Sequence, residues 1–479
     1  MKNSRLLSVV LLALAPLASS QSQVFVDASA GDDGNAGTQS APFRTLTRAT
    51  DFIQTASSGP FDRYQIVAAA GVHDAGLGES FPITFASNVT LAPADEMAEI
   101  IIDGDGAAVA IVVEGEDPVA PDKGIRGLTI RDAETGILVE GGSQDFFVGY
   151  LYDCAVEECT AGLRTSDAAG TFPVDVQWSG GIVRGCFFGV RASGDRWVNL
   201  SFLEINDMSA SGVLAAGIRR LTVVDCVFEN GDFGISANTS TAQSQVTVRS
   251  SIFSGFVAGI ATSFTTTDAL ELTVDHCTFA GCSAALGPGG SISSASIVER
   301  SVLVGNFGTF LNNDQNGLTV RDCLVESTSV QGQGLLVEAP GATFENFAGG
   351  DFRLRRTSAA VDALPPTLQD PNPTDGNLDT VGGLDMGAIQ LETLEGPREA
   401  SVGTTITLDA MGDPIGSGFG VLQPRFSSGA VQTTVYGLLR LEPGLISRVA
   451  RLTPDPATGM ASWSFSIPIQ NIAIWTFTS

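Results

Sequence analysis

The charged residues of this chain recur at a fixed place in an internal repeat. The segment Leu221 to Phe228 reads LTVVDCVF, and copies of it begin at Val246, Leu272 and Leu318. Weaker copies begin at Leu128, Gly149, Gly181, Leu200 and Ser296, and the fourth and fifth positions of the copies often carry arginine, aspartate or histidine. The candidate functional residues are therefore Arg131, Asp132, Asp153, Arg184, Asp225, Arg249, His276, Arg300, Arg321 and Asp322.

The chemistry that this row offers is recognition of sugars. Arginine and aspartate side chains hydrogen-bond hydroxyl and carboxylate groups. A stacked repeat presents them along an extended surface, which suits a long chain ligand. The row is thus predicted to bind extracellular polysaccharide or a cell-surface component. The alternative is a solvated ladder of mixed charges that keeps a repetitive surface soluble.

Two loops are rich in carboxylate and amide oxygens, which are ligands that Ca²⁺ prefers. One loop contains Asp27, Asp32 and Asp33, and the other contains Asp375, Asn377 and Asp379. Neither has the spacing of an EF-hand loop. Ca²⁺ is the cofactor that these loops could hold, and solvated turns are the alternative.

The repeat indicates the fold. Its copies begin roughly two dozen residues apart, a period typical of stacked repeats. Within a copy, apolar and polar residues alternate, and the alternation slips at Asp225, as expected where one short strand turns a corner into the next. A glycine followed by an aliphatic residue recurs later in the repeat, as in Gly234-Ile235, and is interpreted as a corner with unusual dihedral angles. The predicted fold is all-β, a right-handed parallel β-helix.

Composition excludes some partners and suggests a location. The formal net charge is −28, so a nucleic-acid partner is not expected. Residues 1–20 have the basic start, apolar core and small-residue end of a bacterial signal peptide, which predicts a secreted or cell-surface protein. No later stretch is long and apolar enough for a transmembrane helix. The chain is expected to be a monomer.

Seven cysteines are present. Five of them, Cys154, Cys186, Cys226, Cys277 and Cys323, occupy one inward position of the repeat in this alignment. They are interpreted as small buried apolar residues. The spacing shared by Cys154/Cys159 and Cys277/Cys282 leaves disulfides within a coil as an alternative, and the two histidines make a zinc site improbable.

The segment before the repeats carries a recognisable pattern. A strand at Val24 to Val26 precedes an Asp/Gly loop and a predicted amphipathic helix from about Pro42, which would cover the open first coil. The pattern residues are Val26, Gly31, Asp33, Gly37, Thr38, Pro42, Phe43, Thr45, Leu46 and Ala49. This segment resembles the N-terminal module of bacterial secreted β-helix proteins related to pectate lyases. The resemblance implies an N-terminal cap over 21–59 and a β-helix over 60–350.

The chain after the β-helix divides into two parts. Residues 351–395 resemble the terminal segment called choice-of-anchor Q, which implies surface attachment. The matching residues are Asp351, Leu354, Ser358, Asp362, Asp385 and Gly387. Residues 396–479 are predicted to form a small β-sandwich-like domain with strands at 404–408, 433–441, 461–467 and 472–477.

The resemblance also implies an alternative function. A polysaccharide lyase of this fold family uses Lys or Arg as the base that takes a proton from a uronic acid, and Ca²⁺ often neutralises the substrate carboxylate. The base candidates are Lys123, Arg126 and Arg131. A glycoside hydrolase would need clustered carboxylates, and the repeats contain no compact pair of Asp. The preferred prediction is a non-catalytic polysaccharide-binding protein, which a groove lined by Ser, Thr and Ala would favour.

Overall fold

The computed structural model describes the chain from residue 22 onward with gaps. The described ranges are 22–57, 62–86, 88–95, 98–114, 124–140, 147–165, 174–194, 196–239, 244–264, 270–287, 293, 295–306, 318–327, 330, 332–355, 357–361, 363–364 and 386–387, together with the backbone of the strands after residue 393. Within this part of the chain, no helix is long and apolar enough to span a membrane. The signal-peptide prediction lies outside the described residues.

The described strands confirm the predicted β-helix. Twenty-six of them, each parallel to its partners in neighbouring coils, form one sheet wound into a solenoid. They stack as three ladders, each a column of parallel strands that lie one above another in successive coils. The first ladder consists of Ser22–Val26, Tyr64–Ala68, Val89–Pro93, Ile125–Arg126, the opening halves of Phe147–Glu157, Val174–Arg184 and Trp197–Asn206, and then Arg220–Val224, Gln245–Arg249, Glu271–Asp275, Ile297–Glu299 and Thr319–Arg321.

The other two ladders share several long strands that bend between them. The second ladder consists of Gly71–His73, the opening halves of Ile100–Glu114 and Leu128–Glu140, the closing halves of the three long first-ladder strands, the opening halves of Val227–Thr239 and Ile252–Phe264, and then Thr278–Ala280, Val302–Leu303, Leu324–Val325 and Leu336–Val337. The third ladder consists of Ile83–Phe85, Ala161–Thr165, Phe188–Ser193, Ser211–Ala216, Ala284–Leu286 and the closing halves of the four strands shared with the second ladder.

Each coil turns two sharp corners at residues in the left-handed backbone region. The first corner, between the first and second ladders, is occupied by Gly127, Asp153, Gly180, Phe202, Asp225, Ser250, His276, Arg300 and Asp322. The second corner, five residues later, is occupied by Asp132, Glu158, Gly185, Asp207, Asn230, Gly255, Gly281 and Gly305. Aspartate, asparagine and histidine tolerate positive φ better than most residues. The recurrence of Asp in the repeat therefore has a backbone cause.

The pairing corrects the alignment of three weaker repeat copies, those predicted to begin at Leu128, Gly181 and Leu200; the copy from Leu128 aligns with Ile100 of the second ladder. Leu221 lies beside Val198, so the copy in that coil begins at Val198 and not at Leu200. The copy from Gly181 aligns with Leu203 of the second ladder, whereas Leu221 belongs to the first. Both strands of a coil alternate apolar and polar residues, so the sequence alone did not distinguish them.

The recurrent glycines lie inside a strand and not at a corner, contrary to the prediction. A Cβ atom on Gly234 would lie 2.5 Å from the carbonyl oxygen of Gly259 and 2.6 Å from Cδ1 of Phe253. The missing side chains leave room for a stack of buried rings, in which the Phe228 and Phe253 centroids are 4.7 Å apart and those of Phe253 and Phe279 are 4.8 Å apart. Glycine is thus required by close packing in the interior.

The N-terminal helix spans Leu46–Ala56, four residues later than predicted. Thr45 caps it by accepting a hydrogen bond from the backbone N–H of Arg48. The carboxylate of Glu79 accepts from the backbone N–H of Leu46 at 2.7 Å and contacts Nδ1 of His73 at 2.9 Å. The start is displaced because Phe43 still pairs with Val26 as an extended residue.

The described C-terminal cap packs on the outside of the second ladder. A short helix, Pro340–Thr343, precedes an antiparallel pair, Phe344–Asn346 and Asp351–Leu354, joined by the 3-10 turn Phe347–Gly349. Their apolar side chains form a second core with Ala280, Val302, Val304 and Leu324 of the solenoid, and with Leu364 and Met386. This cap covers the last coils of the second ladder.

The remaining strands are described by their backbone and pair antiparallel. They are Leu394–Glu395, Glu399–Ala400, Thr405–Met411, Gly420–Leu422, Gln432–Thr434, Gly437–Leu439, Ala450–Leu452, Met460–Ser466 and Trp475–Thr478. The predicted strand over 433–441 is instead a hairpin of two short strands.

Candidate functional site

The predicted row of charged residues is two rows in the structure. Asp153, Asp225, His276, Arg300 and Asp322 occupy the first corner, and Arg249 and Arg321 each precede a first-corner residue. Arg131, Asp132 and Arg184 belong to the second ladder and second corner instead. A strand separates the two rows, so the ten residues do not form one continuous site.

His276 and Arg300 are engaged in a buried network. Both nitrogens on one edge of the Arg300 guanidinium donate to the Asp275 carboxylate, at 2.8 and 2.7 Å, and His276 Nδ1 lies 2.8 Å from the same group. Asp275 and His276 are only 2% and 3% exposed. Burial by itself would raise the pKa of Asp275, but the contacts with His276 and Arg300 outweigh it and hold the pKa below its usual value.

Glu299 extends this network to the next coil. Its carboxylate accepts from Arg300 at 2.8 Å and from Arg321 Nε at 2.6 Å. The backbone N–H of Gly387 donates to the Arg300 carbonyl at 2.9 Å, and this hydrogen bond joins the C-terminal cap to the solenoid beside the network. The polar groups of His276 and Arg300 are thus buried or occupied by neighbours, which leaves them little exposed surface for a sugar.

The second-corner arginines form ion pairs between coils. Arg131 Nε lies 2.9 Å from Asp103, and Arg184 lies 2.7 Å from Glu157. The hydrogen bond that Arg184 donates to Glu157 raises the pKa of Arg184 above its already high value. Such exposed pairs contribute little stability, and they match the solvated-ladder alternative.

The base candidates do not converge. Arg126 lies on the first ladder with its guanidinium 5.2 Å from the centroid of the Tyr152 ring. Arg131 lies beyond the corner at Gly127, on the second ladder. Lys123 lies outside the described residues. No common site is formed by the two described candidates.

In the first calcium candidate loop, the carboxylates accept hydrogen bonds from nearby backbone N–H groups. Asp27 Oδ1 accepts from the N–H groups of Ser29 and Ala30, which lowers the pKa of Asp27. Asp32 accepts from Gly34, and Asp33 accepts from the residues that lead into the helix. Among the described residues, no three Asp, Glu, His or Cys side chains are grouped to hold a metal ion. Asp375, Asn377 and Asp379 lie outside the described residues.

The outer face of the first ladder carries a row of connected side chains that the repeat pattern did not indicate. Trp197 is 42% exposed, and the Arg220 guanidinium lies 5.3 Å from its ring centroid. Arg220 donates two hydrogen bonds to Gln245, at 2.9 and 3.2 Å, and Gln245 donates to Glu271 at 2.9 Å. The backbone N–H of Trp197 donates to the carboxylate of Asp175 at 2.7 Å. Five successive coils thus present one connected row on the surface.

Two further columns run parallel to that row. Their outward residues are mostly hydroxyl and amide side chains, since the inward residues of the same strands form the core. One column is Gln177, Asn199, Thr222, Thr247 and Thr273, and the other is Tyr152, Ser179, Ser201, Val224 and Arg249. We call these two columns and the Trp197 row the polar face. Its sequence signal was a polar residue, most often Thr, at the second position of the aligned copies in these coils.

Asp153 borders the polar face at the first corner. The residue is exposed, but its carboxylate lies against Gly180 of the next coil. This partial removal from water raises the pKa of Asp153, and the nearby charge of Arg126 offsets the effect only in part. The polar face therefore carries a proton-sensitive group at its edge.

Comparison with family models agrees with the strand pairing. Residues 29–99 match a family described as protein of unknown function (DUF1565). Residues 110–279 match the model described as right handed beta helix region. This chain carries a right-handed β-helix. No curated protein matches the chain.

Solved structures with a likeness to this β-helix include several proteins that act on or bind carbohydrates. A structure titled pectate lyase Pel9A has a TM-score of 0.46 at 13% identity, over 78% of this chain and 96% of the other. The GH136 lacto-N-biosidase from Eubacterium ramulus has a TM-score of 0.30 at 8% identity, over 66% of this chain and 67% of the other. A rhamnogalacturonan lyase has a TM-score of 0.25 at 12% identity, over 66% of this chain and 85% of the other.

Proposed function

We propose that this chain binds an acidic extracellular polysaccharide along the polar face of its β-helix and does not cleave it. The observation that carries the proposal is the exposed indole of Trp197 on a surface otherwise formed mostly by hydroxyl, amide and charged side chains. An isolated exposed tryptophan costs solubility, but it offers a flat apolar surface to the C–H face of a sugar ring.

The repeat of the polar face suits a polymer. Neighbouring coils place equivalent side chains ~4.8 Å apart, and alternate residues along a strand lie ~6.7 Å apart. Asn199 and Gln177 can both donate and accept hydrogen bonds, as sugar hydroxyls do. A chain ligand lying across the coils would meet the same chemistry at each step.

Charge favours a polysaccharide that carries carboxylates. The molecule as a whole is acidic, with a net charge of −28. On the polar face, however, Arg126, Arg220 and Arg249 form no ion pair with a described carboxylate. Arginine binds a carboxylate through two parallel hydrogen bonds. The secreted or surface location predicted from residues 1–20 would expose this face to such polymers.

The absence of a grouped catalytic set among the described residues favours binding over cleavage. The acidic residues nearest the polar face at its C-terminal end, Asp275 and Glu299, are neutralised by arginines. A lyase or hydrolase needs a free base or a pair of free carboxylates beside the substrate. The two described base candidates, Arg126 and Arg131, lie on different ladders and do not form such an arrangement together.

Affinity electrophoresis tests the proposal. The full chain is run through gels with pectate, alginate, starch or a soluble cellulose derivative, and retardation is expected in the acidic polymers. Trp197→Ala should weaken retention by up to about tenfold, the effect of one aromatic contact. The matched control is Phe187→Ala, an exposed aromatic (48%) between the second and third ladders, which should bind like the wild type.

Three results would contradict the proposal. Equal retention of Trp197→Ala and the wild type would remove the polar face as the site. Retention in the neutral polymers alone would overturn the acidic class. Release of unsaturated oligosaccharides, seen by their ultraviolet absorbance, would show that the chain is a lyase.

A further inference from the structure

Two of the seven cysteines lie opposite each other in successive coils. The inward residue after the second corner is Cys159 in one coil and Cys186 in the next, as the backbone hydrogen bonds from Phe187 to Cys159 and from Phe188 to Thr160 establish. Both cysteines are buried, at 4% and 0% exposure, and both are thiols in this structure. The two side chains interact with each other, and each thiol also donates to a backbone carbonyl, Cys159 to Glu157 at 3.3 Å and Cys186 to Arg184 at 3.5 Å.

The other five cysteines have no such neighbour. Cys154, Cys226, Cys277 and Cys323 share the inward position after the first corner, but other residues separate them in that column. Ser251 lies between Cys226 and Cys277, and Ser301 lies between Cys277 and Cys323. Cys282 shares the column of Cys186, but several coils separate the two.

The alternative pairs within one coil are too far apart. Cys154 and Cys159 lie at opposite ends of a strand of the second ladder, as do Cys277 and Cys282. An extended segment of five residues spans roughly 15 Å, whereas a disulfide requires Cα atoms within about 7 Å. Parallel partners in neighbouring strands are ~4.8 Å apart, which a disulfide can bridge.

We propose that Cys159 and Cys186 form a disulfide that joins two successive coils of the β-helix. The oxidant is a low-molecular-weight disulfide, RSSR. The thiolate of one cysteine attacks it, forms a mixed disulfide and releases one RS⁻. The second cysteine then attacks the protein sulfur of that mixed disulfide as a thiolate, and a second RS⁻ leaves. Two thiol protons end on the two RSH products, and RSSR is reduced as the protein is oxidised.

The acidities of the thiols are consistent with this pair. The hydrogen bond from Cys159 lowers the pKa of Cys186. Burial instead raises the pKa of Cys154 and Cys282 to about 11, and that of Cys226 and Cys323 to about 12. Only thiolates exchange with disulfides. Since both thiols are buried in the folded chain, they would react while the coils are still assembling.

Thiol counting tests the proposal on the full chain. The protein is unfolded, reduced, and refolded in a buffer of reduced and oxidised glutathione. It is then denatured and alkylated, and its intact mass is measured. Five of the seven cysteines should be alkylated, and peptide mapping should show one cross-link, Cys159 to Cys186. Reduction should also lower the melting temperature, by roughly 5–10 °C.

Matched variants identify the pair. Cys282→Ser removes a buried cysteine of the same column and should keep the cross-link, leaving four alkylated cysteines. Cys159→Ser should lose it and leave six. Seven alkylated cysteines in the refolded wild type, or a cross-link between any other pair, would overturn the proposal. If Cys159→Ser fails to fold, the peptide map of the wild type still shows whether Cys159 and Cys186 are cross-linked.

Discussion

The guanidinium of Arg220 is held between the Trp197 ring, 5.3 Å from its centroid, and the side-chain oxygen of Gln245, at 2.9 Å. These partners come from the coil before and the coil after, so stacking of the solenoid fixes the position of both groups. A preorganised arginine loses little side-chain entropy when it binds a ligand. The pair is thus suited to recognition of a sugar that carries a carboxylate.

Replacing Arg220 should weaken polysaccharide binding without unfolding the chain. We expect Arg220→Ala to lose about tenfold in affinity for an acidic polymer, since it removes a charge-assisted contact. The wild type should also lose affinity as salt is added. The control is Arg191→Ala, because Arg191 stacks on Phe188 at 5.8 Å on the third ladder. Affinity electrophoresis at two salt concentrations gives both results, and equal losses in the two variants would argue against a specific face.

A methyl group on Gly234 should disrupt the interior. It would meet the Gly259 carbonyl oxygen at 2.5 Å and the Phe253 ring at 2.6 Å. We expect Gly234→Ala to lower the free energy of unfolding by about 1–3 kcal/mol, the usual range for overpacking. Gly341→Ala is the control, because no atom lies within 4 Å of its added Cβ. Urea denaturation measures both, and similar stabilities would mean that the coils can shift apart.

The Asp275 network should make the chain sensitive to acid. The pKa of Asp275 is lower in the folded than in the unfolded chain, where it is about 4. Its ionised form therefore stabilises the fold above about pH 4, and this contribution is lost as the pH falls through the lower, folded pKa. Melting temperatures between neutral and strongly acidic pH should fall less for Asp275→Asn than for the wild type. The control is Asp132→Asn, at an exposed corner, whose melting temperature should depend on pH as that of the wild type does. If the melting temperature of Asp275→Asn also followed the wild-type dependence on pH, the network would not be ionised.

Glu229 should act in the opposite direction. Partial burial, with the charges of Glu204 and Asp207 nearby, raises the pKa of Glu229 in the folded chain. Its stabilising contribution is complete below its unfolded pKa, about 4.3, and is lost as the pH rises through the higher, folded pKa. Glu229→Gln should therefore raise the melting temperature at neutral pH, and the difference should vanish in acid. Glu134→Gln, at an exposed position, is the control; a lower melting temperature for Glu229→Gln at neutral pH would contradict the assignment.

The repeat, and therefore the fold, was predictable from the order of the residues alone. Alternating residues such as Leu221, Val223 and Phe228 can be buried together only if the strands stack, and the structure buries all three. The cap helix was also predictable, since Leu46, Ala49 and Ile53 follow helical spacing and are buried. Periodicity is a local property, which the sequence records directly.

The contacts between residues of different coils, by contrast, became visible only in the folded chain. The register separated the rows of Arg131 and Arg300 by a strand, placed Cys159 beside Cys186, and packed Gly234 against Phe253 inside a strand. It also brought Arg220 onto Trp197, residues that are far apart in the sequence and lie in no shared motif. These contacts depend on the length of each connection between strands. Coil lengths vary, so a local pattern does not specify them, and the candidate binding face emerged only when the coils were stacked.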